Sequence, residues 1–251
     1  MTITTTTRRA ARLTALALAG LALAPEPALA MHISEGILPA PWALLWYAVA
    51  APFVWMGIRT LNQCSPGAGV FKPFVGLVGA AVFIISCMPI PVPVAGTTAH
   101  PCGVGLAAIL VGPWITTLIS SVALALQALF LAHGGITTLG ANITSMGVFG
   151  PFAAYAAFRL VMAMGVSGRA AAFTAGVVGD WVTYMGTSLF LALGLSGPGE
   201  FWGMFAGIMV AFVPTQLPLG ILEGFVSAGA YEFIRQRRPE LIPTQAREAA
   251  A

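Results

Sequence analysis

Val104-Gly105-Leu106-Ala107-Ala108-Ile109-Leu110-Val111-Gly112-Pro113-Trp114-Ile115-Thr116-Thr117, which continues apolar to Ala132, is the stretch whose reading decides the fold. It is too long for one straight membrane span, which needs about 20 residues, and too short for two full ones. Gly112-Pro113 divides it, because proline lacks the amide hydrogen that a helix interior requires and clashes with the preceding turn. Hydropathy leaves two counts open: six spans, or seven with residues 104–112 as a short third helix of half depth.

Charge separates the two counts. The other apolar segments cover residues 41–58, 69–88, 145–163, 170–193 and 202–231. Beyond residue 30 the cations are Arg59, Lys72, Arg159, Arg169, Arg235, Arg237, Arg238 and Arg247, all at segment ends or past the last segment. With the N-terminus outside and seven passes, all of them face the cytoplasm, as the positive-inside rule asks. With six passes, Arg159, Arg169 and the C-terminal arginines move outside. The expectation is an all-α, multi-pass protein of the cell's inner (plasma) membrane, with about seven transmembrane helices, the third of them short. Its N-terminus is external, and residues 235–251 form a polar, disordered cytoplasmic tail.

Composition points to the same class. Hydrophobic residues make up 58% of the 251-residue chain and charged residues 8%, against roughly 25% charged in an average soluble domain. The formal charge of +3 includes three arginines near the start of the chain, so nucleic-acid binding has no basic patch to rest on. Cys64, Cys87 and Cys102 show no C-x-x-C spacing, which argues against a zinc ribbon or a disulfide framework. Lys72 is the single lysine, and it stands in Phe71-Lys72-Pro73, so no phosphate-binding GxxxxGK[ST] loop is present and the chain has no ATPase motif of its own. H-E-x-x-H and G-x-S-x-G are also missing, which removes the common metalloprotease and hydrolase signatures.

The chain opens with Arg8, Arg9 and Arg12, an apolar run from Leu13 to Ala24, a Pro25-Glu26-Pro27 break and then Ala28-Leu29-Ala30. This is the pattern of a secretory signal peptide with an A-x-A cleavage site, so residues 1–30 are expected to be removed and residues 31–234 to form the transmembrane metal-binding domain. Cleavage after Ala30 would leave Met31 with a free amine. That amine, the backbone nitrogen of His32 and its ring Nδ1 then lie within reach of one metal ion, closing a five-membered and a six-membered chelate ring. Three nitrogens in a plane suit Ni(II) or Cu(II) and accommodate Co(II), whereas zinc prefers tetrahedral sites and magnesium prefers oxygen.

The topology places all three histidines of the chain on the external side. His100 lies in a proline-rich and glycine-rich loop, Pro89 to Gly105, where prolines forbid helix; non-helical backbone at membrane depth persists where it is buried in protein or lines a cavity. His133 opens a second glycine-rich loop, and three roles are open to it: ligand, partner that orients a ligand, or helix end. Asn142, Thr138 and Cys102 are further candidates for the surroundings of the metal, and Asp180 and Glu223 are intramembrane carboxylates to be paired within the protein or with another subunit. A reading of another class makes His100 and His133 axial ligands of a haem in a membrane electron carrier.

Met31-His32-Ile33-Ser34-Glu35-Gly36-Ile37-Leu38-Pro39, then Ala99-His100-Pro101-Cys102-Gly103-Val104-Gly105 through Gly112-Pro113, then His133-Gly134-Gly135 through Asn142 and Ser145-Met146-Gly147, resemble the CbiM type of substrate-capture membrane subunit. These subunits belong to the cobalt and nickel energy-coupling-factor transporters. The resemblance implies external capture of Co(II), or of Ni(II), for uptake that feeds cobalamin biosynthesis, with the ion as transported substrate and no permanently bound cofactor. It implies Met31, His32 and His100 as ligands. It also implies three kinds of partner in the bilayer and beneath it: a transmembrane coupling subunit, two cytoplasmic ATPases and a small accessory membrane subunit. Members of the family commonly start at Met-His, so here the free amine depends on the leader being cut in the right place.

Overall fold

The computed structural model describes residues 32–63, 69–88, 90–91 and 98–242. The leader, Met31 and Cys64 lie outside them. Among the described residues seven helices follow one another: α1 Ala40–Gln63, α2 Phe71–Ser86, α3 Val104–Val111, α4 Pro113–Phe130, α5 Leu139–Ala163, α6 Gly168–Leu195 and α7 Phe201–Arg237. The helices α1, α4, α5 and α7 are long and apolar enough to cross a membrane, and α2 is apolar but only 16 residues long. A two-residue antiparallel ladder, β1 Ile90–Pro91 with β2 Thr98–Ala99, stands just before His100, and residues 100–103 are non-helical as expected.

The division at Gly112-Pro113 is where the sequence puts it. Gly112 has φ +87° and Gly103, at the other end of α3, has φ +68°, a left-handed conformation that costs a residue with a Cβ. Pro113 then starts α4, where its missing N–H is no loss. At eight residues, α3 spans about 12 Å. It is buried almost all round, from Val104 to Val111, with Leu106 partly exposed, so it is the centre of the bundle and not a lipid-facing span.

Small residues let the other helices close around it. A Cβ at Gly105 would stand 2.5 Å from the carbonyl oxygen of Ala175 and 2.8 Å from Cα of Gly176, both on α6. In turn, α6 packs along much of its length on α7. Without a hydrophobic drive between helices in lipid, such backbone approach is the main source of packing energy. The outer faces carry Leu44, Trp55, Leu77, Val210 and Phe225, exposed as lipid-facing side chains are.

Two features depart from the expected plan. The helix α5 contains a π-helical turn at Ile143–Phe149, which rotates the residues after it relative to those before. At the other end, α7 continues through Arg237, past the expected start of the polar tail at 235, and a 3-10 turn at Pro239–Leu241 follows it. Arg235 pairs with Glu232 there, and Ile242 is 3% exposed in the core, so the apolar Leu241-Ile242 pair anchors the first part of that tail.

Gly105→Ala is expected to destabilise the folded protein by about 1–3 kcal/mol through overpacking. Gly76→Ala, with nothing within 4 Å of the added carbon, is expected to be neutral, as read by thermal unfolding of both variants in detergent.

Candidate metal centre

Three elements that begin or end at one end of the bundle deliver the histidines: the arm before α1, the loop before α3 and the turn after α4. Their rings converge, with centroids 4.5 Å apart for His32 and His100, 4.8 Å for His32 and His133, and 5.0 Å for His100 and His133. One nitrogen from each lies within 4.8 Å of the others. Metal to imidazole bonds of about 2.0–2.1 Å place ligand nitrogens roughly 3–4 Å apart, so a small inward movement of the rings suffices.

Hydrogen bonds set which nitrogen is free in two of the rings, His32 and His100. Ser86 Oγ donates to the carbonyl of Val82 at 2.7 Å, so it accepts from Gln127 Nε2, also at 2.7 Å. Gln127 Oε1 is thereby turned to His32 Nε2 at 3.0 Å, which must donate. The lone pair of His32 is left on Nδ1. His100 Nδ1 donates to the carbonyl of Pro101 at 2.9 Å, and its Nε2 is buried with no hydrogen-bond partner among the described residues. His133 Nε2 is in the same condition. Buried ring nitrogens of this kind normally find a partner; two of them beside the Nδ1 lone pair of His32 make a nitrogen-rich place for a cation.

The backbone around each ring is pinned. Tyr184 on α6 donates to the carbonyl of His100 at 2.9 Å and accepts from its N–H at 3.3 Å. Asn142 on α5 grips the residue after His32 in the same two-point way, accepting from Ile33 N at 2.8 Å and donating to Ile33 O at 3.1 Å, and Thr138 adds a third bond to that carbonyl. The turn after α4 places His133 next to Ala132, a non-glycine residue at φ +49°, a conformation that carries some strain and recurs at functional sites.

Burial holds the rings neutral. Desolvation pushes His100 down to about 3 and His133 below its usual value. It also holds His32 well below its usual value, with the neighbouring His100 and His133 adding to the effect. Neutral imidazole is the form that ligates a metal.

The structure therefore brings His32, His100 and His133 together, with Asn142 and Thr138 behind them. Cys102 stands elsewhere: its thiol donates to Asp180, and its backbone N–H bonds Glu223. Glu223 is 5% exposed inside this subunit, not at a contact with another. Gln127 and Tyr184 escaped the sequence reading because a glutamine and a tyrosine inside apolar helices carry no signal until the fold shows what they face. The haem reading is not supported, since His32 packs edge-on against both His100 and His133 and fills the space a macrocycle would need.

Fold and site define a multi-pass membrane protein with a cluster of three imidazoles at one end of its helix bundle. The family model for the cobalt uptake substrate-specific transmembrane region, CbiM, matches residues 32–241, and the chain belongs to that family. It is 56% identical over 226 residues to a cobalt transport protein CbiM of Geobacter sulfurreducens, covering 90% of this chain but 65% of that relative's length. A second, from Sorangium cellulosum, is 56% identical over 212 residues, covering 84% of this chain and 94% of the relative. A crystal structure described as a truncated transition metal transporter superposes with TM-score 0.73 at 26% identity, over 82% of this chain and 98% of that one.

Gln127→Leu, which removes the acceptor that fixes His32 in its tautomer, is expected to weaken Co(II) retention by about 10–100-fold, as measured by equilibrium dialysis. A pH dependence follows from the depressed imidazoles. Their contribution to stability is complete above the unfolded value of about 6.5 and is lost as pH falls toward the folded-state values. Metal-free protein is therefore expected to melt at progressively lower temperature below that pH, and His100→Asn to show a flatter profile.

Proposed function

We propose that this chain is the metal-capturing membrane subunit of a cobalt importer and holds Co(II) at its external face through Met31, His32 and His100. In this reading the leader is cut after Ala30. The Met31 amine, the His32 backbone nitrogen and His32 Nδ1 form three corners of a plane, and His100 Nε2 supplies the fourth. The single observation that carries it is the convergence of His32 and His100 with their lone pairs left on Nδ1 and Nε2, the atoms this chelate requires. His133 sits beside the plane as a weaker ligand or as a wall that excludes water.

The external location rests on the charges. Arg59 lies near the end of α1, Lys72 starts α2, Arg159 lies near the end of α5, Arg169 starts α6, Arg235 and Arg237 end α7 and Arg238 follows it, all at the end of the bundle away from the histidines. The positive-inside rule assigns that end to the cytoplasm. With no ATPase motif of its own, the chain needs partners for import: a transmembrane coupling subunit, two cytoplasmic ATPases and a small accessory membrane subunit.

One residue added between Ala30 and Met31, with the leader still cleaved, moves the amine out of reach. Purified protein is then expected to lose more Co(II) affinity than the roughly 10–100-fold that an outer hydrogen bond contributes, and unchanged binding would overturn the chelate. In cells supplied with Co(II), His100→Ala is expected to abolish uptake and His133→Ala to reduce it; equal and complete loss from both would make His133 a full ligand. Running the same retention assay with Ni(II) in competition identifies the preferred ion.

A further inference from the structure

A second group of metal-ligating side chains lies just below the histidines and plays no part in the site described above. Cys102, Asp180 and Glu223 are all buried, and one ligand atom of each lies within 4.8 Å of the others. The Cys102 thiol donates to Asp180 Oδ1 at 3.5 Å. Glu223 accepts the backbone N–H of Cys102 on one oxygen and that of Gly103 on the other, at 2.9 Å. Each of its oxygens keeps a further lone pair.

Among the described residues, no basic side chain stands against the two carboxyl groups, which lie within reach of each other. Asp180 is 0% exposed, and its Oδ2 has no hydrogen-bond partner among the described residues. Ion pairs among those residues join Arg235 to Glu232 and Arg238 to Glu240, at the far end of α7, so neither Asp180 nor Glu223 has a basic partner. Intramembrane carboxylates are costly and mark ion pathways when they are not paired. Gly220 on α7 leaves room for the unpartnered oxygen, since a Cβ there would stand 3.1 Å from it.

Position links the group to the histidines. Asp180 and Tyr184 are one turn apart on the same face of α6, about 6 Å along its axis. Tyr184 holds the backbone of His100 while Asp180 receives the thiol of Cys102, two residues further on. Because α6 starts at the end of the bundle opposite the histidines, Asp180 lies on the inward side of Tyr184.

We propose that Cys102, Asp180 and Glu223 form a second, deeper cation site that takes a divalent first-row transition-metal ion after it leaves the histidine cluster. One sulfur and two carboxylate oxygens suit Co(II) or Zn(II) better than Mg(II) or Ca(II), which select oxygen alone. Ligation exchanges the thiol proton of Cys102 for the metal and releases that proton to water. The order of filling rests on the histidine cluster being the capture site; the existence of the second site does not.

The test is a Co(II) titration of the reduced, full-length protein in detergent, followed by equilibrium dialysis and near-ultraviolet absorption. About two equivalents are expected, the second accompanied by a thiolate-to-cobalt charge-transfer band that an all-nitrogen site cannot give. Cys102→Ser and, separately, Asp180→Asn are expected to lower the stoichiometry to about one, Cys102→Ser with loss of the band, while Cys87→Ser keeps both. His100→Ala is expected to remove the first equivalent and retain the band. A wild-type titration that ends at one equivalent without the band, or a band that survives Cys102→Ser, overturns the second site. Loss of the band in Cys102→Ser together with an intact first equivalent in His100→Ala upholds the second site and sinks the histidine reading instead.

Discussion

Residues 100–103 run as non-helical backbone through the interior of a helix bundle in a membrane, and the rest of the molecule is arranged to satisfy them. No water is available there to bond free N–H and C=O groups, each of which costs several kcal/mol when unmet. Tyr184 takes both backbone groups of His100, and Glu223 takes the N–H groups of Cys102 and Gly103. Both come from the α6–α7 pair, so the close packing of these helices is a condition for the loop to exist. His100 is placed as a result of that bonding.

The arm before α1 obeys the same constraint from the other side. Asn142 and Thr138 hold the backbone of Ile33, and the Glu35 carboxylate accepts the N–H of Thr137. The arm is thus pinned to the loop that also carries His133. Three segments distant in sequence meet because each is tied to a fixed helix, through hydrogen bonds to backbone and through the packing of Ile33 and Leu38 against Trp46, Ala141 and Phe190. These hydrogen bonds fix the arm and the loop beside each other, with the His32 and His100 rings buried between them.

The shortness of α3 has a physical role in this plan. A full-length helix would carry its N-terminus to the membrane surface, whereas eight residues let the 100–103 loop sit at depth, with Asp180 and Glu223 beneath it. The positive φ of Gly103 and Gly112 makes the two breaks possible. Glycine on α3 and α6 then brings the backbones close enough for Tyr184 to reach its partner.

The sequence by itself determined the helix count, the break at Gly112-Pro113 and the irregular course around His100, because proline chemistry, span length and hydropathy act locally. It also put the three histidines at one end, through the alternation of spans. It did not supply Gln127 or Tyr184, nor the tautomers they impose, nor the meeting of Cys102 with Asp180 and Glu223 in a cluster apart from the histidines. Nor did it foresee that α7 runs past 235. Those facts depend on which helix faces turn toward each other, and a π-helical turn at Ile143–Phe149 or a glycine contact between α3 and α6 rotates or seats a face without leaving a periodic mark in the chain. Side-chain direction is a property of the packed bundle, and the tertiary structure alone decided it.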